Sequence, residues 1–336
     1  MRALLVQQVG TGPEGLRVVA DHPEPFPAAG ELVVAVHRVS AAKLELEQTL
    51  AGVGLGMAIR PPRVIGMDPA GQVIAVGAGV DDSWLGRRVA VKPNLVCGQC
   101  AACAADAESD CIAQQVLGVH RDGGAAELVA VPQRQAFPIA EQLSYDAAAA
   151  SVHTVAVALH LLRRAGNPGP GDTVVVTGAS GAVGSAAVAL AMQAGATVVA
   201  AASSAARAQS VGADKAIGYE GLADIADAHV LVDTTGSGEV VTAALGTLGW
   251  CGRAVSCAGQ PGATASLNLS SMYRNRLTLR GVAASDFADV VDALQLVASG
   301  RVPAPAVSIY PLADAVQAYR DLGDRSRSGK VLLALR

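Results

Sequence analysis

Residues 173–206 read TVVVTGASGAVGSAAVALAMQAGATVVAAASSAA, 34 positions without a charge. By length and apolarity the stretch could span a bilayer. Its interior, however, is broken by Gly178, Gly181, Gly184 and Gly195, and it opens and closes on β-branched runs, Thr173 to Thr177 and Thr197 to Val199. The pattern is strand, turn, helix, strand, with the helix starting after Gly184 and the second strand running from Thr197 to Ala201. Glycines at such a turn let backbone approach a pyrophosphate, and the helix N-terminus offers unpaired N–H groups. Gly178, Ser180, Gly181, Ala182 and Val183 are therefore expected to cradle a dinucleotide. An Asp or Glu that would hold a ribose 2′-hydroxyl is missing from the end of the second strand, where Ser203, Ser204 and Arg207 stand instead. Two hydroxyls and a cation suit a 2′-phosphate, so NADPH is favoured over NADH.

Working outward, further strands of the same kind are expected at His229–Asp233, Arg253–Ser256 and Leu277–Arg280, alternating with Ala-rich helices. That alternation reads as a doubly wound parallel sheet. The first 130 residues differ, with short Val-rich runs at Leu32–Val36, Gln72–Val76 and Arg88–Val91 between Gly, Pro and Asp turns, an all-β signature. After Ser285 come an amphipathic helix, Phe287–Ala298, and a final strand, Lys330–Leu335. The fold class is α/β with an added β domain, and 336 residues suit about two domains. A hydrophobic fraction of 51% with only 3% aromatic residues and 37 Gly fits a tightly packed Ala, Val and Leu core.

Six cysteines without a secretion signal in MRALLVQQVG favour metal ligands or buried thiols, and a cytoplasmic protein. Cys97, Cys100, Cys103 and Cys111 offer four thiolates in 15 residues, a closed zinc site that organises a loop and does no chemistry. Cys251 and Cys257 are expected to be small core residues. A net charge of -4 with no basic block argues against nucleic acid, and the glycine-broken segment argues against membrane.

Together these features resemble the medium-chain dehydrogenase/reductase superfamily, in its zinc alcohol dehydrogenase-like branch. The likeness rests on the cysteine spacing, Arg121-Asp122-Gly123-Gly124-Ala125-Ala126-Glu127, the Gly178–Gly184 loop, Val232-Asp233-Thr234-Thr235-Gly236 and Gly329-Lys330-Val331-Leu332-Leu333. It implies a GroES-like β domain at residues 1–151 and 284–336, carrying the zinc lobe near residues 95–113. A Rossmann domain would occupy residues 152–283, with nicotinamide and a small-molecule substrate in a cleft between the two. Thr154, Tyr219, Thr234, Gly236, Ala258 and Gly259 complete the implied cofactor set. The resemblance further implies a homodimer joined near Leu277–Gly281, and a substrate pocket built from Leu50–Arg60 and Ser271–Arg276.

The departures matter more. Where the branch places the first ligand of a catalytic zinc this chain reads Ala42-Lys43-Leu44-Glu45, and the second falls on Met67 and the third near Ala150. Leu44 also lacks the hydroxyl that relays a proton. Ala cannot coordinate and Met is a poor zinc ligand, so alcohol oxidation by a zinc mechanism is not expected. A metal recruited by Asp68 and Glu45 would lack the three ligands such a site needs. The hydride acceptor should then be activated by its own conjugation: an enone, an enoyl thioester or a quinone, the substrates of quinone/enoyl reductase-like relatives. Candidate catalytic groups are Lys43, Glu45, Asp68 and His153. Lys43 is either a hydrogen-bond donor in a partly desolvated cleft or a surface lysine paired with Glu45 or Glu47. Asp68 either donates a proton or holds backbone, and His153 either acts or packs as a core histidine. Metal-free ketone or imine reduction, and non-catalytic dinucleotide binding, are the alternative functions.

Overall fold

The computed structural model describes residues 1–46, 59–324 and 327–336. Glu47 and, apart from Ile59 and Arg60, the Leu50–Arg60 loop lie outside the described residues. In chain order the structure begins with β1 (Ala3–Val6), β2 (Leu16–Val19), β3 (Glu31–Ala41), β4 (Arg63–Val64), β5 (Asp68–Val76), β6 (Arg88–Val91) and β7 (Asn94–Leu95). There follow α1 (Ala101–Ala104), β8 (Gln115–Val116), β9 (Leu128–Pro132), β10 (Ala136–Pro138) and α2 (Tyr145–Ser151). Next come α3 (Thr154–Arg164), β11 (Thr173–Thr177), α4 (Ala182–Gln193), β12 (Thr197–Ala202), α5 (Ala205–Gln209), β13 (Lys215–Gly218), β14 (Ala228–Asp233), α6 (Gly238–Leu245), β15 (Leu248–Ser256), α7 (Leu269–Asn275) and β16 (Thr278–Gly281). The tail is α8 (Phe287–Ala298), β17 (Val307–Pro311), α9 (Ala315–Leu322) and β18 (Lys330–Ala334).

These elements form two compact units, residues 1–153, 290–298 and 304–336, and residues 154–289 with 299–303. Residues 284–289 and 299–303, grouped by sequence with the first domain, pack with the second.

In the first unit β3 is the spine. It pairs antiparallel with β5, β9 and β18 in a seven-stranded sheet, and β2-β1-β4 form a smaller sheet. Its sequence, ELVVAVHRVSA, is buried along most of its length, so apolar residues outnumber a simple alternation. Leu4, Val34, Val36, Val39, Ile65, Met67, Tyr319, Leu333 and their neighbours form one core. The register sets Ser40 between Asp68 on β5 and Leu332 on β18, and this brings the start of β18 to the start of β5.

In the second unit six parallel strands run in the order β13-β12-β11-β14-β15-β16. The uncharged segment becomes β11, α4 and β12, as the glycines foretold. Val174, Val175 and Val176 have no exposure, which is why this central strand tolerates only apolar residues. The helix begins at Ala182, one turn earlier than the sequence suggested, because Gly181 already takes the capping position. Gly184 sits against the Gly178 carbonyl so closely that a Cβ would strike it, so helix and strand pack at backbone distance. The stretch Tyr145–Arg164 is long and apolar enough to cross a membrane by composition, but most of it is buried within the protein.

Candidate active site and zinc lobe

In the second unit the carboxyl ends of three neighbouring strands are tied together by Asp233. Its Oδ1 accepts hydrogen bonds from the Thr177 hydroxyl at 2.7 Å, the Thr235 hydroxyl at 2.7 Å and the Thr235 N–H at 3.0 Å. Its Oδ2 accepts from the Ser256 hydroxyl at 2.7 Å and the Gly236 N–H at 3.2 Å. The carboxyl group is 1% exposed and both its oxygens are engaged, so it fixes the loops on which a dinucleotide would lie. Gly178 has φ +69° and leaves no room for a Cβ beside Thr234, whose hydroxyl donates to the Thr177 carbonyl at 2.9 Å. Gly236 abuts Ala258 and Gly259 with φ +58°. The glycine cradle, the α4 N-terminus and these two loops therefore fit a pyrophosphate-linked dinucleotide.

Tyr219 belongs to the same region. Its hydroxyl faces the Gly178 N–H, and its pKa is raised by burial, with Asp233 adding to the rise and Gly178 and the Arg207 cation opposing it. Arg207 lies on α5, a helix capped by Ser204, whose hydroxyl accepts from the Arg207 N–H at 3.4 Å. Ser203 and Ser204 are exposed and Arg207 is half-buried, while Thr154, at the start of α3, is buried.

The first unit gathers the other candidates. Met67 and Ala150 are 2% and 0% exposed, so apolar core atoms occupy two of the three positions read as lost ligands. Ala42 is half-buried. Glu45 accepts hydrogen bonds from the Gly66 N–H at 2.7 Å, the Tyr319 hydroxyl at 2.6 Å and the Ala42 N–H at 3.0 Å. It thus ties the Ala42 segment to the Gly66-Met67 segment. Burial pushes its pKa up to about 7, assisted by Asp68 and resisted by its three donors. Lys43 is exposed, which differs from the partly desolvated setting read for it.

Asp68 is 1% exposed, and its Oδ2 accepts from the Ser40 hydroxyl at 2.5 Å and the Lys330 ammonium at 2.9 Å. Burial would raise its pKa, but Lys330, His153 and Ser40 outweigh that and hold it low, so it is ionised. Its Oδ1 is buried without a hydrogen-bond partner, as are Ser151 Oγ and His153 Nδ1. His153 follows α2, which packs on β5 and β18. Burial lowers its pKa to about 4, Lys330 and Lys92 reinforcing the fall and Asp68 opposing it.

The four clustered cysteines converge, every Sγ lying within 4.8 Å of the others. Sγ separations of 3.5 Å for Cys100–Cys103, 3.6 Å for Cys97–Cys111 and 4.0 Å for Cys97–Cys103 bracket the roughly 3.8 Å edge of a tetrahedron with zinc–sulfur bonds near 2.3 Å. Backbone N–H groups lower the Cys97 and Cys100 thiols, the latter to about 6, whereas burial pushes Cys103 up to about 12. The set is soft, closed and convergent, and fits zinc.

Cys251 is exposed, with φ +54°, so it is not a core residue; Cys257 is half-buried, its thiol pushed up to about 12 by burial. Sequence reasoning also missed a buried ionic cluster in the second unit. His160 Nδ1 lies 2.6 Å from Asp289, which also takes Arg163 at 2.5 Å, and Arg164 donates to His160 Nε2 at 3.1 Å. The only signal was His160, Arg163 and Arg164 at helical spacing on one face of an otherwise apolar helix.

Comparison with known proteins agrees with this architecture. The sequence model of the alcohol dehydrogenase GroES-like domain matches residues 28–141, and that of the zinc-binding dehydrogenase family matches residues 182–299. The chain is 30% identical to the acryloyl-coenzyme A reductase of Metallosphaera sedula over 99% of both chains. It is 34% identical to the starvation-sensing protein RspB of Escherichia coli, but over 53% of this chain and only 50% of that protein, so it spans about half the length of that relative. The cobalt- and zinc-bound thermostable alcohol dehydrogenase of Pyrobaculum aerophilum superposes with a TM-score of 0.89 at 30% identity, covering 99% of each chain. The chain belongs to the medium-chain dehydrogenase/reductase superfamily. It is an NAD(P)-dependent oxidoreductase.

Proposed function

We propose that the protein is an NADPH-dependent reductase of an activated carbon–carbon double bond in an enone, enoyl thioester or quinone, working without a catalytic metal. The observation that carries this reading is that Ala42, Met67 and Ala150 offer no ligand where the branch would hold a catalytic zinc, and two of the three are closed into the core. When bound, NADPH supplies a hydride from C4 of its nicotinamide. The glycine loop and the Asp233 hub hold its pyrophosphate, and Ser203, Ser204, Arg207 and Tyr219 take its 2′-phosphate. Hydride addition to a conjugated carbon leaves an enolate-like oxyanion on the substrate, which hydrogen-bond donors alone can stabilise. Lys43 and His153 are the candidate donors, while Glu45 and Asp68 hold the backbone and charge around them.

One zinc in the Cys97–Cys111 lobe would serve structure only, and six cysteines without a disulfide suit a reducing, cytoplasmic setting. A homodimer would form through β16, which is exposed throughout, Leu279 included, and ends the six-stranded sheet near exposed Trp250 and Tyr273.

Mixing the protein and NADPH with enones, quinones, cyclic imines and ketones, and following loss of nicotinamide absorbance, tests the reading. Turnover of conjugated acceptors is expected. Turnover of imines or ketones alone moves the protein to metal-free carbonyl or imine reduction, and tight NADPH binding without turnover makes it a binding protein.

A further inference from the structure

We propose that the open edge of β9 is a docking site for an extended peptide bearing an acidic side chain, which adds there as a further strand. The proposal stands apart from the reductase reading, since none of the candidate catalytic or cofactor residues is among those lining the site.

The register of β9 decides which of its backbone groups are free. Among the described residues β9 pairs antiparallel with β3 and with no other strand. Just beyond either end of that register, the Val36 N–H donates to the Glu127 carbonyl at 2.9 Å and the Gln133 N–H to the Gly30 carbonyl at 3.0 Å. Hydrogen-bonded positions alternate along an antiparallel pair, so Val129 and Val131 face β3, while Leu128 and Ala130 turn their N–H and C=O groups outward. Ala126, bridged to Ala3, has the same outward sense, because the bonds flanking that bridge run from Leu4 to Ala125 and from Glu127 to Arg2. Among the described residues no protein group meets the backbone N–H or C=O of Ala126, Leu128 or Ala130. Ala126 is buried and the other two are half-buried, and backbone groups so placed are rarely left bare. Pro132, next in the alternation, has no N–H and ends the run of donors.

All three residues line a cavity of about 510 Å³ within the first unit. Their open groups recur every two residues, about 7 Å apart. Another extended backbone matches that repeat, and a compact ligand does not. Phe26 also lines the cavity; it is 89% exposed and offers an apolar surface to a peptide side chain. The charged residues favour a carboxylate. Arg121 gives one N–H to Glu31 at 2.7 Å and Arg63 gives one to Asp122 at 3.1 Å, which leaves most donors of each guanidinium unspent, with Arg63 Nε buried and bare. The acceptors are more fully used, for both Glu31 oxygens are engaged and Asp122 Oδ1 also takes the Val64 N–H at 3.1 Å. Glu24, exposed at the cavity, opposes an incoming carboxylate.

The probe is the blocked hexapeptide acetyl-KTVEVT-amide, titrated into the full-length protein with amide hydrogen exchange as the readout. At saturation the Leu128 and Ala130 amides are expected to exchange at least tenfold more slowly, with Val129 and Val131, already bonded to β3, unchanged. Methylating alternate peptide nitrogens gives two versions of the probe, one in each phase. One should lose at least tenfold in affinity and the other should bind as the parent does, with the protein itself unaltered. Glu24→Gln should tighten binding, and glutamine in place of the peptide's glutamate should weaken it severalfold. No binding, affinity indifferent to the glutamate, protection without the two-residue alternation, or equal loss for both methylated probes overturns the proposal. So does protection of Leu128 and Ala130 that rises with protein concentration alone, which would assign the edge to a second copy of the chain.

Discussion

Asp233 takes hydrogen bonds on both oxygens from five donors, whereas Asp68, equally buried, uses only one oxygen. The first is a fixed support, and the second a buried charge held on one side by Ser40 and Lys330. Glu45 shows a third use of a buried carboxyl, with a pKa raised to about 7. A carboxyl raised in the folded state leaves stability untouched below its ordinary value, and the fold loses stability as pH rises through the raised one. From about pH 4.5 to above 7 the loss amounts to about 3 kcal/mol. Urea unfolding of Glu45→Gln against wild type should therefore show the wild type losing about that much relative to the variant between pH 5 and 8; parallel curves would refute the raised pKa. Arg207→Ala should weaken NADPH at least tenfold more than NADH, as loss of a charge-assisted bond to a 2′-phosphate requires, and equal losses for both would remove the case for NADPH. At this scale the proposal of a metal-free site rests on the identities of Ala42, Met67 and Ala150, which are read directly from the sequence. The sequence singled out Glu45 as a candidate catalytic group but gave no sign of its structural tie, because its partner Tyr319 lies 274 residues away. Asp68 likewise gains Lys330 only through the register of β18 beside β3.

Among elements, those with a strict period were legible and those made by a turn or a partner were not. β11, β6 and α8 fall where the apolar patterns placed them, and β12 differs by one residue. β3 and β15 run several residues beyond the sequence reading, because sheet pairing resumes past register irregularities that take in His37 in β3 and Trp250 and Cys251 in β15, residues that look like interruptions in isolation. The α3 ionic cluster escaped notice since its carboxylates sit more than 120 residues downstream. The zinc lobe is the opposite case, for its ligands are local and their spacing alone foretold convergence. Elemental analysis should find about one zinc per chain. Removing it with a chelator should lower Tm by several degrees, as four crowded thiols lose the cation that lets them ionise. An unchanged Tm, or two zincs per chain, would contradict the assignment.

The molecule as a whole combines two units with different histories of constraint. The second keeps the glycine cradle, the parallel sheet and the saturated Asp233 of a dinucleotide-binding fold. The first has the β architecture and the cysteine lobe, with Met67 and Ala150 buried at two of the positions the proposal reads as lost ligands. On the proposed reading, cofactor binding without a Lewis acid narrows the chemistry to acceptors that carry their own electron sink. The most direct measurement is the fate of deuterium from C4-deuterated NADPH, in protein shown to hold one zinc per chain, acting on an enone. The account predicts deuterium at the β-carbon of a saturated ketone. Deuterium on a carbinol carbon, or transfer that appears only when a second metal is bound, would contradict it.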